Sequence, residues 1–431
     1  MKRSMRIFQE FVSKEAFGGI LLFVATILAV VVSNSPFSQQ YFDLWHMPFG
    51  MNLGDFNISM SLTYWIDDGL MALFFLMIGL EIKREVLIGE LSSLQKSLFP
   101  VVAAIGGMLV PALVYVLLNM QNPLGFGIPM ATDIAFALGV LMLLGNRVNP
   151  ALKLFLVALA VVDDLGAVIV VATVYTSQIH TEYILYVGFI YAVIWILNLK
   201  GVKSLWPYLV LGVFLWIYIH ALGIHATIAG VLLAFAIPIN SKIKEKEFID
   251  DTKEALKEFE ENMDEISLLN HHQIEALESI ANSYDKVQNP LLRLEHYLHG
   301  FSSYFIMPLF AFSNAGVLIN FTTVNENLMI VLGVVLGLIV GKPIGIFGFT
   351  YIASRLKIIK KPDNINWSEI LAVGFLGGIG FTMSIFITHL AFSDQSIIDA
   401  VKLGVFIASF VAGVLGVFMV LKSGKGKIFE S

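Results

Sequence analysis

The sequence predicts an all-α polytopic membrane protein with twelve transmembrane helices. Of its 431 residues, 57% are hydrophobic and only 14% are charged, whereas about a quarter of the residues of a soluble domain are charged. The mean hydropathy is +0.80, and the apolar residues come in blocks of about 20, the length of helix that crosses the hydrocarbon core of a bilayer. A third observation, the distribution of Lys and Arg, sets the orientation.

Twelve apolar segments are candidates for spans, with ends defined to within a few residues: 16–35, 61–80, 99–118, 126–144, 151–174, 183–198, 205–221, 224–239, 301–319, 328–350, 369–391 and 399–421. The first segment is long for a signal peptide and lacks a clear cleavage site, so we interpret it as a span. An even number of spans places both termini on the same side of the membrane.

Basic residues lie almost entirely on one side of this topology. If both termini are cytoplasmic, 25 of the 27 Lys and Arg fall in cytoplasmic segments. Lys402 alone falls outside, and Lys342 falls within a span. Because cytoplasmic loops are rich in Lys and Arg, this orientation is the predicted one. The chain has no cysteine, which excludes a disulfide framework and a thiolate metal site.

One segment is not apolar. Residues 241–290 hold 13 acidic and 6 basic residues, a net charge of −7 in a chain whose formal charge is −6, so the overall acidity says nothing about partners. The chain therefore divides into spans 1–8 in residues 1–240, an acidic cytoplasmic insert in residues 241–290 and spans 9–12 in residues 291–431.

The insert is predicted to be helical because ten of its residues follow an alternating 3,4 spacing. They are Leu256, Phe259, Met263, Ile266, Asn270, Gln273, Leu277, Ile280, Tyr284 and Val287. Asn270 and Gln273 interrupt this heptad pattern midway. One interpretation is a solvated amphipathic helix or helix pair lying on the protein. The alternative is a contact between two copies in a homodimer.

Very few ionisable residues lie inside the spans: Asp67, Asp68, Asp133, Asp163, Asp164 and Lys342. Each costs roughly 2.5–3.5 kcal/mol at the centre of the bilayer. We expect Asp67, near the end of its span, to be interfacial. The others should face a watery cavity or one another, although some of them could merely fix the packing of helices.

The sharpest case is the stretch VALAVVDDLGAVIVVATVY, residues 157–175, with Asp163 and Asp164 at its centre. Adjacent residues on a helix point about 100° apart, so one carboxylate can line a cavity while the other reaches a partner. Lys342 is the only intramembrane cation that this topology offers as that partner. Partly desolvated carboxylates hold protons more tightly, and oxygen ligands suit a small hard cation. A site that accepts either protons or a cation predicts an exchanger.

Two spans contain helix-breaking sequences, GIPMATDIAFALG at 127–139 and GFLGGIGFTMSIFI at 374–387. Unwound backbone at membrane depth is tolerated where it lines a cavity or is buried in protein. A pair of interrupted spans indicates inverted repeats with a binding site at the midplane. Asp133 could balance the positive ends of the broken helices, and Lys342 the negative ends.

These segments together resemble the NhaA sodium/proton antiporters. The resemblance covers nearly all spans and rests on LMALFFLMIGLEIKREVLIGEL, PVVAAIGGMLVPAL, ATDIAFALGVLMLLG, ALAVVDDLGAVIV, GIHATIAGVL, MPLFAFSNAG, GKPIGI and GIGFTMSIFI. It implies a twelve-span fold with inverted repeats and crossed, broken fourth and eleventh helices. It also implies electrogenic exchange of two protons for one Na⁺ or Li⁺, for sodium and pH homeostasis, in the bacterial cytoplasmic membrane. The implied protein is a transporter rather than an enzyme, needs no cofactor and has the lipid bilayer, not nucleic acid, as its surroundings.

The resemblance also implies roles for individual residues. Asp163 and Asp164 are the carboxylates that exchange protons for Na⁺, with Thr132 as an additional ligand. Asp133 and Lys342 lie at the helix crossing, and Lys342 pairs with Asp163 when no sodium is bound. Asp68, in WIDDGL, matches a further membrane acid of less certain role.

The pH response of the family is associated with the cytoplasmic mouth. Two segments would supply it here: GLEIKRE, with Glu81, Arg84 and Glu85, and RLEHYLHG, with Glu295, His296 and His299. Histidine titrates near neutral pH, so these residues could sense pH; a solvated ion-pair network is the alternative. For His225, in GIHATIAG, we expect core packing. The insert is the main departure from the family, so the family's pH regulation need not transfer intact.

Three other functions remain open at this point. A proton-coupled transporter of another small solute would need a polar pocket that the apolar spans do not show. An intramembrane aspartyl protease also uses two membrane aspartates, but its Gly-x-Gly-Asp motif is missing and Lys342 would have no role. A passive cation channel would not couple a sodium gradient to a proton gradient.

Overall fold

The computed structural model describes residues 2–53, 56–176, 179–241, 243–262 and 269–423, without the side chains of 2–16, 51–58, 90, 94–96, 146 and 285. The α-helices of these residues are α1 Lys2–Ser33, α2 Ser38–His46, α3 Leu62–Tyr64, α4 Met71–Leu87, α5 Leu94–Leu118, α6 Ile134–Leu143, α7 Pro150–Val174, α8 Ile184–Leu199, α9 Trp206–Leu222, α10 Thr227–Ala236, α11 Glu245–Glu261, α12 His271–Val287, α13 Pro290–Phe301, α14 Met307–Asn314, α15 Phe321–Glu326, α16 Leu328–Leu336, α17 Lys342–Arg355, α18 Trp367–Gly377, α19 Phe381–Ala391 and α20 Gln395–Ser423. Seven of the junctions between them are other helices. Four are 3₁₀-helices, at Glu90–Ser92, Pro123–Met130, Gly145–Arg147 and Thr181–Tyr183, and three are π-helices, at Trp65–Leu70, Ser302–Ile306 and Gly337–Gly341.

The fold is that of an all-α polytopic membrane protein, as the sequence predicts. Among the described residues, six helices are long and apolar enough to cross a membrane, and two bent helix pairs raise the number to eight. Two shorter apolar helices, α9 and α10, come in addition. The full count of twelve spans stays a prediction.

Two regions next to predicted spans have structure that was not predicted. The second span is preceded by a short antiparallel hairpin, β1 Pro48–Leu53 with β2 Phe56–Ser61. At the ninth span, predicted at 301–319, the helical segment begins earlier, at Pro290, and ends earlier, at Asn314. Its start is fixed by Asn289, whose side chain accepts a hydrogen bond from Leu292 N at 2.8 Å, and by Pro290 at the first helical position, where a missing N–H costs nothing.

Two of the spans are broken at membrane depth and meet at their breaks. Before α6 the chain is a 3₁₀-helix that includes Pro129 and then runs without helical hydrogen bonds through 131–133. The second break separates α18 from α19, which are bent by 48°. The breaks satisfy each other's backbone, since Asp133 N donates to Ile379 O at 2.7 Å.

The helices pack as two bodies. In the first body, α5 packs on α7 and α17, α18 on α17 and α20, and α19 on α20. In the second body, α4 packs on α10 and α13, α10 on α9, and α9 on α8; α14 continues from α13 through a π-helical turn. At the crossing of α5 and α17 the backbones touch, because a Cβ on Gly345 would collide with the carbonyl oxygen of Gly106.

The insert folds as an antiparallel pair of helices, α11 and α12. Asn270 Nδ2 donates to Asn262 O at 2.8 Å, and Ser283 Oγ donates to Asp251 Oδ2 at 3.2 Å. Lys83, near the end of α4, donates to Phe235 O at 2.7 Å where α10 ends and the insert begins. We call this face of the molecule the insert side, and the face that carries the β-hairpin the opposite side.

The interruption of the heptad pattern in the insert is the start of a second helix. Asn270 and Gln273 form a capping box that starts α12, so they mark a new helix and do not interrupt a longer one. The helices meet through residues such as Ala255 and Ala276, which are buried, whereas three heptad positions, Leu256, Leu277 and Tyr284, are exposed. Met263 and Ile266 lie outside the described residues. A helix pair on the protein was one of the two interpretations; the homodimer contact stays a prediction.

Candidate functional site

Asp163 and Asp164 lie at the middle of α7, an unbroken helix that starts at the side-chain cap of Asn149 and at Pro150. Both are buried, with 3% and 5% of their surface exposed. Asp163 points at the broken helices. Its Oδ2 accepts a hydrogen bond from Thr132 Oγ1 at 2.8 Å and lies 3.1 Å from Lys342 Nζ. Its Oδ1 is buried and has no hydrogen-bond partner among the described residues.

Asp164 faces a different environment. It lines a narrow cavity of about 60 Å³ that also contains Thr132, Glu81 and His299 in its wall. The cavity lies between the two bodies and leads from Asp164 toward the insert side. Within the described part of the chain, the Asp164 carboxylate makes no hydrogen bond or ion pair with another side chain. A buried carboxylate without a protein partner requires water, a proton or a cation.

The crossing of the broken helices is neutralised by one acid and one base. Asp133 caps the start of α6 by accepting from Phe136 N at 2.9 Å, and it also accepts from Thr382 N, at the start of α19, at 3.1 Å. One carboxylate thus meets two positive helix ends. Lys342 is fully buried and donates to the carbonyl oxygen of Met130, at the end of the 3₁₀-helix.

This arrangement favours one small cation over an organic solute. The free oxygen of Asp163 and both oxygens of Asp164 are hard ligands of the kind that bind cations of the first two groups. Pockets for organic ligands measure roughly 300–1,000 Å³. The cavity here, about 60 Å³, holds about two water molecules at about 30 Å³ each.

The predicted pH-response residues are only partly brought together. Arg84 lies 3.0 Å from Glu85, 3.8 Å from Glu81 and, through Nε, 3.3 Å from Glu295. We call Glu81, Arg84, Glu85 and Glu295 the mouth cluster. Glu81 is its member that lines the cavity, where it interacts electrostatically with Asp164. His299 also lines the cavity. His296 is exposed and lies against Tyr297, outside the cluster.

On the opposite side, polar residues that are distant in the sequence lie close together. Asp68 is buried, 3.5 Å from His225 Nε2 and 4.0 Å from His220 Nδ1. His225 therefore faces a carboxylate, and core packing does not describe its position fully. Asp67 is partly buried and accepts from Asn314 Nδ2 at 2.6 Å, so it is held by protein and is not simply interfacial.

Lys342 is not the only buried cation among the described residues. Lys402 has 4% of its surface exposed and lies two turns inside α20. Its position at the edge of the predicted span had suggested an external loop charge. The residues on both sides of Lys402 are mostly apolar, which is consistent with a buried position. That position follows only if the helix begins before residue 399, as α20 does.

Comparison with known proteins agrees with this geometry. The family model described as "Na+/H+ antiporter 1" matches residues 9–420. The chain is 62% identical over 431 residues to "Na(+)/H(+) antiporter NhaA 1" of Aliarcobacter butzleri (strain RM4018), covering 100% of both chains. It is 50% identical over 414 residues to "Na(+)/H(+) antiporter NhaA" of Wolinella succinogenes, covering 95% of this chain and 92% of that one.

A solved structure shares the fold. The sodium proton antiporter MjNhaP1 from Methanocaldococcus jannaschii matches with a TM-score of 0.51 and 11% identity, covering 99% of this chain and 100% of that chain. At this identity the likeness concerns the fold alone. The family model and the relatives, which extend over the site and over nearly the whole sequence, show that the chain belongs to the Na+/H+ antiporter 1 family.

Proposed function

We propose that the protein exchanges Na⁺ or Li⁺ for protons across the bacterial cytoplasmic membrane, with both termini and the insert side in the cytoplasm. The observation that carries this proposal is the Asp164 carboxylate, buried at the end of a narrow cavity and without a protein partner. Beside it, Asp163 keeps one oxygen free. The distribution of Lys and Arg supports the orientation.

The exchange follows from competition for the same oxygens. With protons bound, the two carboxylates are neutral and offer a cation little attraction. When Na⁺ enters from the cavity, the ionised oxygens of Asp164 and Oδ1 of Asp163 bind it, with Thr132 as a further oxygen ligand. Because the ion replaces the protons, the site carries one or the other, which couples their gradients.

We propose a stoichiometry of two protons for each Na⁺. One exchangeable proton belongs to Asp164. The second belongs to the pair of Asp163 and Lys342, whose contact at 3.1 Å must loosen when Asp163 turns toward the cation. Two positive charges moving against one make the exchange electrogenic.

The mouth cluster is the proposed site of pH regulation. Glu81 lines the cavity and is tied to the cluster by Arg84. Protonation of these carboxylates or of His299 changes the field at the cavity through which the cation enters. The homeostasis of sodium and pH is the corresponding physiological role.

A passive cation channel is less consistent with this geometry. Beyond the carboxylates, on the opposite side, aromatic rings of the two bodies close the path: Phe386 lies 5.5 Å from Phe75 and 6.3 Å from Phe310, measured between ring centroids. All three side chains are buried. A cavity open to one side only is typical of a transporter with alternating access.

Proteoliposomes test the proposal. A sodium gradient should drive proton movement in the opposite direction, reported by a pH-sensitive dye, and reversal potentials give the stoichiometry.

Asp164→Asn should abolish exchange, because a neutral amide cannot release a proton and carries no charge to attract the cation. The matched control is Asp43→Asn, a change at an exposed carboxylate. Normal sodium-driven proton flux in correctly inserted Asp164→Asn protein would refute the assignment, and sodium flux without proton flux in the unmodified protein would indicate a channel.

A further inference from the structure

The cavity that leads to Asp164 has walls on both bodies, and the wall on the second body contains an irregular turn. This π-helical turn, Ser302–Ile306, joins α13 to α14. Ser302 lines the cavity, as do Glu81 of α4 and His299 of α13. Asp164 lines the same cavity from α7, on the first body. A π-helical turn departs from the α-helical hydrogen-bond pattern, and such turns are frequent at functional sites.

The hydroxyl of Ser302 is buried without a partner in the protein. Ser302 has 1% of its surface exposed, and its Oγ makes no hydrogen bond within the described part of the chain. Its backbone N–H is satisfied, since it donates to the carbonyl oxygens of His299 and Leu298. A buried hydroxyl costs free energy unless it is hydrogen-bonded. The contents of the cavity, water or the transported cation, are what can supply this contact.

A cation that enters this cavity has to lose most of its hydration shell. The cavity, about 60 Å³, holds about two water molecules. Most of its wall is apolar and includes Phe74, Ile78 and Leu138. Small hard cations take oxygen ligands, so each oxygen that faces the cavity can replace one of the water molecules that the ion leaves behind. The hydroxyl of Ser302 is such an oxygen, on the wall that faces Asp164.

We infer that Ser302 is a cation ligand of the entry cavity: its hydroxyl oxygen contacts Na⁺ or Li⁺ as the ion passes from the mouth cluster to Asp164. This inference rests on the proposed exchange function and deepens it. The oxygen replaces a water molecule for which the cavity has no room, which lowers the free-energy cost of entry. Because the hydroxyl carries no charge, it changes how tightly the ion is held and does not take part in the competition between protons and the cation.

Ser302→Ala tests the inference, and the same helical segment supplies a matched control. Ser313, in α14, is also a buried serine, 8% exposed, whose hydroxyl has no partner among the described residues, but it does not line the cavity. In proteoliposomes, Ser302→Ala should raise the Na⁺ concentration for half-maximal exchange about fivefold, the effect of losing one neutral oxygen contact. The maximal rate should stay nearly unchanged, and Ser313→Ala should change neither value.

The absence of cysteine from the chain allows a second measurement that does not depend on exchange. Ag⁺ is a thiol-reactive monovalent cation close to Na⁺ in size. Vesicles that contain Ser302→Cys or Ser313→Cys are exposed to silver nitrate from the insert side, with and without Na⁺, and the remaining free thiol is counted after denaturation. Na⁺ should slow the loss of the Ser302→Cys thiol severalfold and should not change the loss of the Ser313→Cys thiol.

Two results would each overturn the inference: a Na⁺ affinity of Ser302→Ala equal to that of Ser313→Ala, or no protection of Ser302→Cys by Na⁺. A shifted pH profile with unchanged Na⁺ affinity in Ser302→Ala would also overturn it, and would indicate that the hydroxyl relays protons. Each of these results leaves the proposed function standing as long as the unmodified protein exchanges Na⁺ for protons. Absence of that exchange in the unmodified protein would contradict the proposed function itself.

Discussion

Adjacent side chains on one helix can have separate tasks. The angle of about 100° between neighbours on a helix predicts that Asp163 and Asp164 diverge, and the structure places them toward Lys342 and toward the cavity, respectively. Which of the two meets the lysine depends on where the packing of α17 on α5 places Lys342 relative to α7. That packing is a tertiary property that the stretch around the aspartates does not contain.

The pairing of Lys342 with Asp163 predicts a stability effect. Lys342→Met leaves Asp163 buried without its counter-charge, so we expect a loss of roughly 3–5 kcal/mol in the free energy of unfolding. Adding Asp163→Asn removes the unpaired charge and should recover part of that loss. Unfolding of detergent-solubilised protein, measured for both single variants and the double variant, checks this. Additive losses would mean that the two groups do not stabilise each other.

At the scale of the element, the breaks in two spans were predictable and the irregular turns were not. The breaks are encoded by residues that disfavour a helix through their own backbone, whatever packs around them: Pro129 in one span, and Gly374, Gly377, Gly378 and Gly380 in the other. The π-helical turns at Trp65–Leu70 and Ser302–Ile306 have no such signal. They arise where a helix must rotate its side chains to fit neighbouring helices, so they depend on contacts that are remote in sequence.

The insert shows what an interruption in a heptad pattern can mean. Asn270 and Gln273 are poor heptad residues for the same reason that they are good capping residues: their side chains bond to the free N–H groups of a helix start. The spacing left one helix and a helix pair both open, and the capping chemistry specifies the pair.

The crossing of α5 and α17 predicts a contrast between two glycines of the same helix. Gly345→Ala should destabilise the protein and reduce exchange, because its methyl group would meet the backbone of Gly106 and displace the helix that carries Lys342. Gly348→Ala is the matched control, since no atom lies within 4 Å of the added carbon. The control should be neutral or slightly stabilising, by about 0.5–1 kcal/mol. Thermal unfolding and exchange assays on both variants measure the contrast; equal behaviour of the two would show that the helices can move apart freely.

At the scale of the whole molecule, the sequence predicted the membrane fold, which the structure shows; the side on which the insert lies stays a prediction. The sequence did not indicate that Lys402 is buried. At the edge of a predicted span it has the ordinary explanation of a loop charge, and its burial follows from α20 beginning at Gln395 and packing against its neighbours.

The insert provides the prediction at this scale. Its ends are anchored at the mouth, by the hydrogen bond from Lys83 of α4 to the end of α10 and by Asn289 at the start of α13, but none of its described residues lies in the cavity wall. Deleting residues 245–288 and joining the ends with a short Gly/Ser linker should leave maximal exchange nearly intact. The pH profile or the apparent Na⁺ affinity should shift at low ionic strength, because a net charge of −7 raises the local concentration of cations within about 8 Å at physiological salt.

The shift should shrink in high salt, because salt screens the charge of the insert, and transport assays at two ionic strengths measure it. A deletion variant that inserts correctly but exchanges at no pH would show that the insert is part of the transport machinery.

The crossing of the broken helices also has a consequence for how the chain is made. The N–H of Asp133 donates to Ile379 O, and the hydroxyl of Thr132 donates to Gly377 O. Each of these hydrogen bonds can form only after residues about 245 positions further along the chain have been synthesised. At about 5–20 residues per second, the delay is on the order of 12–50 s. During that interval the fourth span sits at the translocon or in lipid with an unwound turn and a carboxylate that its final neighbours do not yet cover. The first half of the protein is therefore an unfinished structure until its last spans emerge from the ribosome, and a nascent chain that stops before residue 377 has no means of completing it.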